Sequence, residues 1–117
     1  MQYLCMVHVD GALMEKLTPE AGQDLTRRSL AYDEELQKSG HFIAASALQD
    51  PETATVVRVR DGKVSMTDGP FVETKEHLGG FILIEARDLN DALAVAQKIP
   101  MASFGSIEVR AEYELKP

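Results

Sequence analysis

The chain has 117 residues, 44% of them hydrophobic and 26% charged, with a formal net charge of −7. Those figures suit one soluble domain with a core of its own, over residues 1–117. They oppose a nucleic-acid partner, because phosphate contact rests on clustered lysine and arginine, and no such cluster offsets the negative balance. No apolar run approaches the ~20 residues of a membrane helix. The start, Met1-Gln2-Tyr3, lacks the basic residues of a signal peptide. With a single cysteine, Cys5, no internal disulfide can form, so a reducing cytoplasm is the expected compartment and no membrane partner is expected.

Residues 2–9 alternate as a strand, Tyr3, Cys5, Val7 and Val9 on one face and Leu4, Met6 and His8 on the other. Both faces are largely apolar, so both should be covered. Residues 10–17 read as a polar connection, with a loose turn over 12–16. Thr18-Pro19-Glu20 then starts a helix: a capping hydroxyl, a proline suited to the first position, and an acid at the positive end of the dipole. Ala21, Leu25, Ser29, Tyr32 and Leu36 form its inward face, and Gly40 ends it. Residues 41–48 make a second strand. Residues 53–60 and 63–67 flank Asp61-Gly62, a two-residue hairpin signal, and this hairpin is polar enough to lie at an edge or project. Residues 80–86 form a strand apolar on both faces. Asp88 caps a second helix that sets Leu89, Ala92, Leu93, Ala96 and Ile99 inward and stops at Pro100. Residues 106–115 alternate as a last, half-buried strand.

The order β, α, β, hairpin, β, α, β implies an α+β, ferredoxin-like sandwich with an inserted β-hairpin. Two helices cover only one face of its sheet. The apolar second face therefore predicts packing against another copy, as a homodimer or higher homo-oligomer of dimeric α/β-barrel type.

The richest stretch chemically is Asp68–Gly80, DGPFVETKEHLGG. Pro70 pushes Gly69 out of helical space and aims Phe71 from a stiff corner. Glu73 reaches Glu76 and His77 if the segment is helical, or pairs with Lys75 if it is extended. One reading is a well-made turn with solvated charges; the other is a charged rim around a pocket mouth. Candidate ligand-binding residues on the second reading are Asp68, Phe71, Glu73, Lys75, Glu76 and His77. His8 joins them from the first strand, and Tyr32 from the helix, where its hydroxyl needs a partner. No ligand spacing suggests a metal, and no phosphate loop or other cofactor motif is present. Cys5 reads as a small core residue, a nucleophile only if His8 or His41 folds against it.

The run Thr67–Phe81 resembles the signature of the DGPF-domain branch of the YCII-related family. The likeness extends through Tyr3-Leu4, Leu17–Glu20, Val57–Gly62, Leu83–Glu85, Ile99-Pro100 and Gly105–Arg110. It implies a dimeric ferredoxin-like fold and no settled activity. Genes of this branch often neighbour extracytoplasmic-function sigma factors, which implies a regulatory setting. YCII-type proteins proposed to be enzymes carry a histidine early in the first helix and an aspartate before the proline that follows the second. The corresponding positions here hold Ser29 and Ile99, neither a general acid or base near neutral pH. The expectation is thus a small dimeric ligand-binding or regulatory module taking a small molecule. The alternative is a proton-transfer enzyme, lyase or isomerase, acting on a small cyclic or aromatic substrate through the signature carboxylates with Lys75 or His77.

Overall fold

Strand β1 (Gln2–Asp10) lies between two antiparallel neighbours, β5 (Glu76–Glu85) and β6 (Gly105–Ala111), while β2 (Phe42–Ala47) pairs antiparallel with the far side of β5. This computed structural model describes all 117 residues. The sheet order is β2-β5-β1-β6, which is compatible with a ferredoxin-like α+β fold. Two further strands, β3 (Thr55–Arg60) and β4 (Lys63–Asp68), form a separate two-stranded sheet turning at Asp61-Gly62.

The long helix α2 (Pro19–Ser39) follows a short one, α1 (Gly11–Glu15), and α3 (Leu89–Ala96) follows β5. Thr18 accepts from the Ala21 amide at 3.1 Å and caps α2; Asp88 accepts from the Asp91 amide at 2.8 Å and caps α3. The connection expected over residues 10–17 is instead helical in its first half. Asp10, only 6% exposed, accepts from the Ala12 and Leu13 amides and starts α1 directly at the end of β1.

The core is the helix-facing side of the sheet. Tyr3, Cys5, Val7 and Val9 of β1 meet Ile82 and Ile84 of β5, Tyr32 and Leu36 of α2, and Ala92, Val95 and Ala96 of α3. Each large side chain buried there contributes roughly 1.5–3 kcal/mol, which holds α2 in place more firmly than its intrinsic propensity does. The inward face of α3 differs from expectation. Val95 is buried, whereas Leu89 and Leu93 stay about half exposed, because the short helix ends at Ala96 and presents a different stripe. Ile99, expected on that helix, is buried just before a 3-10 turn over Pro100–Phe104. The last strand is also shorter than expected, ending at Ala111 where pairing with β1 runs out.

The opposite sheet face carries Leu4 and Met6 of β1 paired across to Leu83 and Phe81 of β5, with no helix over them. The β3–β4 arm presents Val57, Val59, Val64 and Met66 to solvent, each more than half exposed. An uncovered face and a separate arm leave the molecule flat, 47 × 46 × 18 Å.

The β2–β5 seam is unusually tight at Gly80. A Cβ there would lie 2.7 Å from the Ser46 carbonyl oxygen. Gly80→Ala should therefore force β2 off β5, lowering stability by about 1–3 kcal/mol in urea unfolding, where a surface alanine would cost almost nothing.

Candidate functional site

A cleft of about 420 Å³, lined mostly by apolar residues, lies between α2 and the sheet. Its sheet wall is built from small or branched residues: Val7 and Val9 of β1, Ala45 and Ala47 of β2, Gly80 and Ile82 of β5. The alanines and Gly80 leave the space; larger side chains there would fill it. Ile99, Pro100 and Met101 close one end, and Met14 of α1 contributes from another side. The helix wall carries the polar groups. Thr26, Ser29 and Asp33 are spaced three and four apart, so they form one stripe along α2.

Thr26 turns its hydroxyl back to the Gly22 carbonyl at 3.1 Å. Asp33 is half-buried, and burial pushes its carboxyl above the ordinary range; no cation or hydrogen-bond donor offsets that. Tyr32 forms part of the lining while donating its hydroxyl to the Val95 carbonyl at 2.7 Å, which ties α2 to α3. Burial first, then the Glu35 carboxylate and Cys5, push that phenol up to about 12, so it serves as a fixed donor and not as a base.

The signature segment is divided by the fold. Gly69 has φ of +103° and its amide donates to the Ala54 carbonyl at 2.7 Å, fixing the corner at the base of the arm. Phe71 is 75% exposed and lies under the Arg58 guanidinium, 5.6 Å from the ring centroid. Asp68 and Glu73 are exposed. Residues 69–75 are irregular, with bends and no helical turn, and Lys75 reaches Asp10 at 3.7 Å instead of Glu73. Strand β5 begins at Glu76, four residues earlier than expected, because Glu76 and His77 pair with Asp10 and Val9 of β1. His8 faces the uncovered side of the sheet, its Nε2 3.1 Å from Glu108 Oε1. Of the eight candidate residues, Tyr32 lines the cleft; the other seven lie outside its lining. The end of the signature, Gly79-Gly80, does form part of its wall.

Three features escaped the sequence reading. The first is Asp33, which shares a helix face with Ser29 but sits in a charged run that reads as solvated surface. The second is the meeting of Ser29 and Ile99, which border the same cleft with no ionisable group at either. The third is a chain of contacts at the C-terminus of α2. Ser39 Oγ lies 2.7 Å from His41 Nδ1, and His41 Nε2 lies 3.1 Å from Asp91 Oδ2. The residue types are those of a hydrolytic triad, but the hydroxyl also donates to the Leu36 carbonyl at 3.1 Å. The hydroxyl belongs to the last turn of α2 and the carboxylate to the first turn of α3. The chain is thus a cap joining α2 to α3. Asp91 also accepts from the Arg87 amide at 3.0 Å, and that bond, with His41, holds its carboxyl below the ordinary range.

Cys5 is fully buried on the helix-facing side of the sheet, opposite to His8, and burial pushes its thiol up to about 11. A thiolate nucleophile has no support there.

A mostly antiparallel sheet with its helices on one face defines a mixed α+β domain of ferredoxin-like type. The YCII-related domain model matches residues 1–116, and the chain belongs to the YCII-related family. It is 31% identical over 119 residues to an uncharacterized protein of Rhizobium meliloti (strain 1021), covering 100% of this chain and 96% of that protein.

Asp91 and Asp33, two of the carboxyls with shifted pKa, predict opposite effects of amide substitution. Asp91 has its folded pKa depressed, so its contribution is present at neutral pH and lost as pH falls through the folded value. Asp91→Asn should lower Tm at pH 7, with the difference closing below about pH 4. Asp33 has its folded pKa raised, so its ionisation costs stability at neutral pH and not in acid. Asp33→Asn should raise Tm at pH 7 by about 1–3 °C and change nothing near pH 3. Thermal unfolding monitored by circular dichroism at the two pH values checks both.

Proposed function

We propose that this protein is a ligand-binding module that holds a small, largely apolar molecule in the cleft between α2 and the sheet. The observation that carries this reading is the cleft itself: about 420 Å³, apolar on the sheet side, with the Thr26–Ser29–Asp33 stripe opposite. Its volume lies in the range of small-molecule sites, and an apolar pocket with a few convergent polar groups is what such sites require. The polar stripe sets an orientation; the apolar wall supplies most of the contact. Proton transfer by the pair found in proposed YCII enzymes has no groups to run on, since Ser29 and Ile99 occupy those positions.

Two copies associate through the uncovered sheet face in this reading. Leu4, Met6, Phe81 and Leu83 supply its apolar centre, and the linked His8, Glu108 and Arg110 side chains supply a polar margin. Desolvating that centre favours association, while the charged margin fixes the register.

Two measurements test the proposal. Neutral monocyclic aromatics titrated into labelled protein should shift amide resonances of Val7, Ala45, Ala47 and Ser29 together. Ala47→Phe, which fills the cleft, should abolish those shifts while leaving the remaining spectrum dispersed; shifts scattered over the surface, or persisting in the filled variant, sink the cleft as the site. Separately, light scattering should give twice the chain mass at micromolar concentration, and Leu83→Glu should halve it, since a buried unpaired carboxylate opposes association. A single-chain mass for the unaltered protein refutes the dimer.

A further inference from the structure

The cleft has one ionisable group that is free to meet a ligand. Tyr32 lines it too, but its hydroxyl is committed to the Val95 carbonyl. No lysine, arginine or histidine is among the lining residues. Asp33 stands at one end of the polar stripe, half-buried, against a wall of valine, alanine and isoleucine, with no partner in the protein. The other α2 polar groups of the cleft, Thr26 and Ser29, are neutral.

From this arrangement, and resting on the cleft being the binding site, we infer that the ligand is a small hydrophobic amine whose ammonium group pairs with the Asp33 carboxylate. A carboxylate or phosphate ligand would meet no cation in the cleft and would face Asp33 directly, in a protein of net charge −7. A neutral ligand would leave the carboxylate partly desolvated with nothing in return. An ammonium supplies the missing counter-charge and a donor at once, and a charge-assisted bond in a partly dry recess is stronger than its neutral equivalent. Ser29, one turn before Asp33 on the same face, can accept a second N–H. The apolar remainder of the ligand then lies on Val7, Ala45 and Ile82. The burial that raises the Asp33 carboxyl is the same penalty that an ammonium removes.

The test compares three probes of like shape at pH 7: 2-phenylethylamine, 2-phenylethanol and 3-phenylpropionate. Binding is read by amide chemical-shift titration of the full chain. The amine should bind on the order of tenfold more tightly than the alcohol, with the carboxylate weakest. In Asp33→Asn the amine should lose its advantage and bind no more tightly than the alcohol does to the same variant. Equal affinity of amine and alcohol at cleft residues overturns the amine inference and leaves the cleft as the site. So does tighter binding of the carboxylate, or an amine advantage that survives Asp33→Asn. Absence of cleft shifts with all three probes at millimolar concentration removes both readings together. The probe series on the unaltered protein decides the question even if the variant folds poorly.

Discussion

Strand β1 is hydrogen-bonded along both edges, to β5 and to β6, and the positions of the cleft walls follow from that double pairing. Its helix-facing residues Tyr3, Cys5, Val7 and Val9 are all buried and contiguous with the core under α2 and α3. Val7 and Val9 carry the same row of side chains past the core and into the cleft. The C-terminal end of β1 then supplies Asp10, which starts α1 and receives Lys75. A shift of one residue in this strand would turn its core row to the uncovered face and lose all of these arrangements together.

The cleft exists because side-chain size changes across the sheet. Under α3 the facing residues interdigitate; toward β2 they shrink to Ala45, Ala47 and Gly80, while α2 continues straight above them. A long helix capped at Thr18 and anchored at its other end by Leu36, Tyr32 and the Ser39–His41–Asp91 chain cannot sag into that space. The void is therefore maintained by the stiffness of the helix and by the bond from Tyr32 to Val95, and not by strain in the backbone around it. That the only free charge in the recess belongs to the helix is what orients chemistry there.

Much of the fold was legible from residue patterns. The alternation in residues 2–9, the Thr18-Pro19 start and Gly40 stop of α2, and the Asp61-Gly62 turn each have a local physical cause, and each appears in the structure. The order of these elements pointed to the α+β class. The boundaries that moved are those decided by distant partners. Glu76–Gly79 became strand because β1 lies beside it, and α3 turned a different stripe inward because Ile99 and the 3-10 turn end it. The site was less legible. Richness in charge drew attention to Asp68–His77, whose side chains mostly face solvent or Asp10. Asp33 was hidden because a single acid in the run Asp33-Glu34-Glu35 differs from its neighbours only in the direction it faces. Helical spacing from Ser29 was the available signal.

The β3–β4 arm carries a risk of its own. It is a two-stranded ribbon with Val57 opposite Met66 and Val59 opposite Val64 on its exposed face, and both of its long edges are short of hydrogen-bonding neighbours. Such a ribbon is a template on which a stray strand from another chain can add. Its tip opposes that: Arg60 stands directly across from Lys63, so the end of the ribbon bears two like charges beside the turn. Repulsion there costs the hairpin a little stability, and the same charges oppose a strand adding beside that end of either edge. The pair that closes the β3–β4 ladder beside the turn thus also protects the arm from added strands.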